Sequence, residues 1–366
     1  MRNQKEMALE KPILEIPWIK VAIGLILGIS MIYVYYLTVL QTQNLKEVVF
    51  EINRFTYLFA FLFGFIGVLF FSFAWKTIAR AQGIKLSPKD AVSMTFVAYF
   101  FEGMVPAGTI PGDAVRAYIV TKRTQAPGET VVSTIFAHRL AGMVPYSLNG
   151  LLCIVLLLQH DFSVWISLLI AFLGLISIVA FLGLLVASLK EKLVIKLVQT
   201  ILKILKRTFK FWNRRLEDFE ETSLSQIHLF SENMRQWLKK KRELFGSFVL
   251  AVVWWLCNGI SFYVVARALH IRIDFLILLP LYTAVSTIRS FPLPLVGGFG
   301  LIELTLATLL QPVGVPEGIA FAIPLLARNV FWFLVICSSI FLVKEYRRWL
   351  AQKTPMRGEK SPKDTS

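Results

Sequence analysis

The sequence predicts an all-α integral membrane protein, with about six full transmembrane helices and two re-entrant hairpins, eight hydrophobic segments in all, in inverted repeats. Three observations carry this. First, 56% of the 366 residues are hydrophobic and only 17% are charged, and the mean hydropathy is +0.64, more apolar surface than one soluble core can hide. Second, the apolar residues fall in runs near the ~20 residues that cross a hydrocarbon core. Third, the apolar pattern breaks twice in the same way, at Pro106-Ala-Gly-Thr-Ile-Pro-Gly-Asp-Ala-Val-Arg116 and at Pro292-Leu-Pro-Leu-Val-Gly-Gly-Phe-Gly-Leu-Ile-Glu303. An apolar helix carrying one arginine, Arg139 or Arg328, follows each break.

The elements follow in chain order. Residues 1–16 form a basic tail, and the apolar stretch 17–39 is long enough to span, so it reads as a first membrane helix that stays in place. Further spans are expected at 55–75, 130–158, 162–188, 245–268 and 318–343. Segments 88–123 and 274–313 are each an apolar arm, a Gly/Pro-rich elbow and a second short arm. Irregular backbone is not tolerated against lipid, so each elbow must be covered by protein or line a wet cavity. Between them, 190–244 alternates Lys192, Lys196, Lys203 and Lys206 with Leu193, Ile195, Leu197 and Ile204, a basic amphipathic pattern suited to an anionic cytoplasmic leaflet. The chain closes with a basic tail at 346–366.

Lysine and arginine set the orientation. The N-terminus, the stretch with Lys76, Arg80, Lys85 and Lys89, the Lys122-Arg123 turn, the region from Lys190 to Arg242, and the tail with Lys344, Arg347 and Arg348 all read as cytoplasmic. This works if 88–123 is a hairpin entering from the cytoplasmic side and 274–313 one entering from outside. Two units of opposite orientation result, about 17–158 and 162–345, within one polytopic domain at 17–345 whose two termini are cytoplasmic. Paired, interrupted apolar segments in two halves of a membrane protein point to a transport site.

Within that frame Arg139 and Arg328 fall near the bilayer midplane. The short helices expected after Gly112 and Gly298 aim their N-termini at the same level, where exposed N–H groups favour an anion. Candidate substrate-binding residues are therefore Arg139, Arg328, Arg116, Asp113 and Glu303, with Gly112, Gly298 and Gly300 permitting tight elbows and close backbone approach. Two readings of the arginines stand. They are an anion-binding pair, or structural cations neutralised by Asp113 and Glu303. Asp113 and Arg116 could equally cap the return arm, Glu102 and Arg289 could pair structurally beside the elbows, and His138 is either a proton relay or a neutral histidine bonded between helices.

Other chemistries lack residues. Cys153, Cys257 and Cys337 lie in apolar runs without C-x-x-C spacing, so neither disulfide nor zinc is supported. The chain has no GxxxxGK[ST], HExxH or GxSxG motif, and its four histidines are scattered. No catalytic residue, cofactor or metal is expected. The net charge of +16 lies in loops and tails, without the platforms of a nucleic-acid binder.

Pro111-Gly-Asp-Ala-Val-Arg116 followed by His138-Arg139-Leu140, and Gly297-Gly-Phe-Gly-Leu-Ile-Glu303 followed by Arg328, resemble the two signature regions of the lysylphosphatidylglycerol synthase transmembrane, or flippase-like, family, over roughly residues 15–345. The resemblance implies a cell-membrane protein that moves an anionic phospholipid or a polyprenyl-phosphate-linked lipid between leaflets. It carries the expectation of the membrane part without the aminoacyl transferase domain, and leaves a homo-oligomer open. Two other functions fit the same residues: a secondary transporter of a small soluble anion, and, from another class, an integral membrane lipid-modifying transferase. The topology makes a direct prediction. Single cysteines at Thr124 and Val313 should label from opposite faces, the first from the cytoplasm and the second from outside; labelling of both from one face would overturn the hairpin arrangement.

Overall fold

The computed structural model describes residues 51–106, 108–159, 162–190, 231–290 and 293–353, with isolated positions within 19–33 and 192–200. Regular structure among the described residues is helical: α1 (Arg54–Ala81), α2 (Pro88–Met104), α3 (Ile110–Thr124), α4 (Gly128–Gln159), α5 (Val164–Leu189), α6 (Lys241–Ala268), α7 (Phe275–Ser286), α8 (Leu301–Leu310) and α9 (Glu317–Lys353). Local chemistry sets the starts. The Asn53 side chain accepts from Thr56 N–H, Ser87 from Asp90 N–H ahead of Pro88, and Asp274 from Leu276 N–H, each filling an N–H that the helix itself leaves open.

Among the described residues, six segments are long and apolar enough to cross a membrane: Arg54–Ala81, Gly128–Gln159, Val164–Gly183, Lys241–Ala268, Val296–Val313 and Glu317–Arg348. Five are spans expected from the sequence, several longer at their ends. The expected span at 17–39, both tails and most of 190–244 lie outside the described residues. The sixth, Val296–Val313, is the return arm of the second expected hairpin; it reaches spanning length only by adding a glycine-rich bend and two 3₁₀ turns, one at each end, to the ten residues of α8.

Direction follows from contacts. α1 and α6 are antiparallel along their length: Asn53 N–H donates to Ala268 O (2.9 Å), Ser261 Oγ to Ala60 O (2.8 Å) and Lys240 Nζ to Ala81 O. Glycines bring the backbones together here, since a Cβ at Gly67 would stand 3.2 Å from Asn258 Nδ2 and 3.3 Å from Cys257 Cβ. α4 opposes α1, with Ser133 beside Gln82 and His138 beside Phe71. α9 runs with α1, as Tyr57 Oη donates to Leu326 O (2.8 Å) and Val68 shares a core with Leu334. The helices bearing Arg139 and Arg328 therefore run in opposite directions.

The two interrupted regions form helical pairs. α2 and α3 are antiparallel, tied at their outer ends by Arg123 and Asp90 (2.6 Å) and packed at their inner ends where Gly112 meets Ala98 and Glu102. Their elbow is 105–109, where Gly108 takes φ +62. α7 opposes α6, with Trp255 Nε1 donating to Thr283 Oγ1 (2.8 Å) and Tyr263 against Phe275. It therefore enters from the other end of the bundle, and α8 leads back out to α9. The basic stretches 76–89, 122–123, 235–242 and 344–348 gather at the end where α2 begins, linked by Arg123 to Glu345 (3.3 Å), Arg348 to Glu345 (2.9 Å) and Lys240 to Ala81.

Close packing yields a prediction. A Cβ at Gly64 would stand 2.8 Å from Val330 Cγ1 on α9, whereas nothing lies within 4 Å at Gly183. Gly64→Leu should lower the thermal unfolding temperature in detergent, in line with the ~1–3 kcal/mol of overpacking, while Gly183→Leu should not; equal effects would refute the α1–α9 seam.

Candidate functional site

Arg139 lies 11 residues past Gly128 on α4, and Arg328 lies 11 past Glu317 on α9, about 17 Å along each helix at 1.5 Å per residue. A guanidinium at that depth needs a counter-charge, and each has one from a short helix.

In the first cluster Arg139 grips Asp113 of α3 with two bonds, Nε to Oδ2 (2.8 Å) and Nη2 to Oδ1 (3.0 Å), and also pairs with Glu102 of α2. Asp113 Oδ1 is shared with Arg116 Nη2 (3.0 Å). Arg116 is 1% exposed and lies 4.6 Å from the centre of the Trp75 ring, a favourable face for a cation. His138 completes the chain. Its Nε2–H donates to Phe71 O (2.9 Å), which leaves Nδ1 to accept from Arg116 Nη1 (3.2 Å). Two cations and two carboxylates thus meet around one neutral histidine.

In the second cluster Arg328 Nε donates to Glu303 Oε1 (2.5 Å) and Nη1 to Gly297 O (2.8 Å). Glu303 Oε2 accepts from Gly300 N–H (2.8 Å) at the α8 N-terminus, the half of a capping box that a glycine N-cap can make. Phe299 and Phe331 flank the guanidinium at 5.7 and 5.3 Å. Gly297, Gly298 and Gly300 have φ of +54, +71 and +89, values that a Cβ penalises, so this elbow requires glycine. Gly112 serves the close backbone approach of its expected roles and not the elbow. It lies within α3, not at the elbow, and a Cβ there would come 2.5 Å from Ala98 O; its absence lets α3 press onto α2 beside Glu102.

Arg139 with Glu102, and Arg328 with Glu303, line cavities. One, about 930 Å³ including space open to solvent, is bounded by Glu102, Arg139 and Thr109 together with Phe71, Tyr146, Trp254 and Ser286. The other, about 550 Å³ on the same measure, is bounded by Glu303 and Arg328 with Gly64, Ile302 and Phe331. Tyr99, Asn258 and Tyr282 belong to both walls. The Arg139 side chain is 23% exposed and that of Arg328 4%, so the first is the more open of the two. Each carboxylate occupies the first turn of a short helix, Asp113 on α3 and Glu303 on α8, where the N–H groups and dipole suit an anion.

Of the residues singled out in the sequence, Arg139, Asp113 and Arg116 come together, as do Arg328, Glu303 and Gly300. Arg116 sits behind Asp113, away from the cavity lining, and His138 is bonded between helices, which is the second of its two expected readings. The Arg289 side chain lies outside the described positions. Glu102 as a direct partner of Arg139, Trp75 beneath Arg116, and the shared wall of Tyr99, Asn258 and Tyr282 were not foreseen; they arise from packing between segments with no common spacing.

A family model described as the lysylphosphatidylglycerol synthase TM region matches residues 18–339. Among curated proteins, the chain is similar to a UPF0104 membrane protein of Methanothermobacter thermautotrophicus, 24% identical over 297 residues (81% of this chain, 87% of the relative). It is also similar to UPF0104 membrane proteins of Pyrococcus horikoshii, 24% identical over 294 residues (78% and 86%), and of Methanocaldococcus jannaschii, 22% identical over 296 residues (80% and 85%). No solved structure matches. The second cluster supports a prediction: Glu303→Ala strands a guanidinium that is 5% exposed as a residue, and breaking such a pair costs about 3–5 kcal/mol. Its unfolding temperature should fall well below that of Glu303→Gln combined with Arg328→Met; the reverse order would show that the pair does not hold α8 to α9.

Proposed function

Because the chain belongs to the lysylphosphatidylglycerol synthase TM region family, as a multi-pass membrane protein, we propose that it moves an anionic lipid or lipid-linked headgroup between leaflets. One observation carries the reading: two arginine–carboxylate pairs at equal offsets on oppositely directed helices, each opening on a cavity, with three residues common to both cavity walls.

The lipid phosphate takes the place that the internal carboxylate holds at rest. Asp113 and Glu303 are stand-in anions, since each satisfies an arginine and sits at a helix N-terminus, the two features that bind phosphate. A phosphate diester entering the first cavity meets Arg139 and the start of α3, while its acyl chains stay in the bilayer. The shared wall of Tyr99, Asn258 and Tyr282 is then the partition across which it passes toward Arg328. Both short-helix pairs act as re-entrant hairpins. At 1.5 Å per residue the 17 and 15 residues of α2 and α3 reach about 26 and 23 Å, and the 12 and 10 of α7 and α8 about 18 and 15 Å, all less than a ~30 Å hydrocarbon core. Movement of the hairpins against the long helices opens the two cavities in turn, and the basic end of the bundle faces the cytoplasm.

The test is leaflet exchange of fluorescent anionic phospholipids in liposomes holding the pure protein. Arg139→Ala and Arg328→Ala should each cut exchange by tenfold or more while still inserting in the membrane. Normal exchange by both would sink the site, and binding of a soluble anion with no lipid exchange would move the assignment to a soluble-anion transporter.

A further inference from the structure

The two carboxylate partners of Arg139 are not equivalent, and the difference bears on what accompanies the headgroup. Asp113 is bound by both Arg139 and Arg116. Glu102, among the described residues, has Arg139 as its one ion-pair partner. Around it stand Asp113 and Arg116 of α3 and Arg139 of α4, Phe71, Tyr99 and Tyr146 share its cavity, and α9 turns Phe331 and Val335 to the neighbouring Gly103. When a phosphate takes Arg139, Asp113 keeps Arg116, but Glu102 is left as a lone carboxylate beside a fresh negative charge. That state is strongly disfavoured in a low-dielectric site.

We infer that Glu102 takes up one proton as a monoanionic phosphate binds Arg139, so that the protein moves headgroup and proton together. This rests on the function proposed above and adds its coupling ion. The proton comes from the water that brings the headgroup, because Glu102 and Arg139 line the same cavity; it crosses the shared wall with the headgroup as Arg139 returns to the carboxylate, and it is released on the far side. His138 does not substitute for Glu102: Nε2–H is committed to Phe71 O, and a second proton on Nδ1 would face the Arg116 guanidinium. Nor does Glu303, which keeps the Gly300 N–H and the positive end of α8 when Arg328 is engaged elsewhere. The proton site therefore belongs to the first half alone.

One monoanion with one proton is electroneutral, so a pH gradient should set the leaflet distribution and voltage should not. In liposomes holding the full chain, with fluorescent phosphatidylglycerol as the probe, the distribution should shift up to tenfold per pH unit, with proton uptake recorded by an entrapped dye. A potential set with potassium and valinomycin should leave the distribution unchanged. In Glu102→Gln the dependence should exchange, with indifference to pH and a tenfold bias per 59 mV for one charge. The dye measurement on the parent keeps the test decisive if that variant does not fold. A parent whose distribution follows voltage and ignores pH overturns the coupling but leaves lipid movement standing. A parent that never moves the probe overturns lipid movement and the coupling with it.

Discussion

A guanidinium held some 17 Å along a membrane helix sets the terms for the rest of this molecule. It cannot be left bare in hydrocarbon, and the long helices offer no carboxylate at the right level. Asp113, Glu102 and Glu303 instead arrive near the ends of shorter helices that meet the arginines inside the bundle. Once a helix stops there, its end N–H groups, its turn and its neighbours must be satisfied inside the protein. The positive φ values from Gly297 to Gly300, the capping of Gly300 N–H by Glu303, and the close seat of Gly112 on Ala98 meet those demands.

The halves resemble each other in plan but differ in tightness. Around Arg328 one carboxylate, one backbone carbonyl and two aromatic rings close the site almost completely. Around Arg139 two carboxylates compete for one cation beside a larger cavity. The first cluster can therefore give up one partner and remain bonded, whereas the second loses the Glu303 carboxylate if the pair opens.

Much of this architecture was legible because hydrophobic length, glycine and charge report directly on membrane physics. The spans around Arg139, Arg328 and Trp255, the two interruptions and both arginine–carboxylate pairings can all be read from order along the chain. Burial and partner choice could not. Arg116 looks like a surface cap of a return arm, yet it is one of the most buried side chains, because Trp75 and His138 come from two other helices. Gly112 looks like an elbow because it follows Pro111, but proline is well tolerated in a first helical turn, and the bend falls earlier, at Gly108. Tyr99, Asn258 and Tyr282 carry no mark of a shared wall until α2, α6 and α7 are folded together.

The first hairpin does not rest mainly on its own half. Its α2 lies along α9, where Gly103 fits under Phe331 and Val335, Phe96 stacks on Phe341, and Ser93 and Arg123 both bond Glu345. An element from the beginning of the chain thus rides on a helix from its end. A cut at the chain midpoint, between α5 and α6, would separate two sequence halves but no two mechanical bodies. Cargo handed from Arg139 to Arg328 would travel between parts already geared together through α9, and co-expressed halves would have to interlock before either could work.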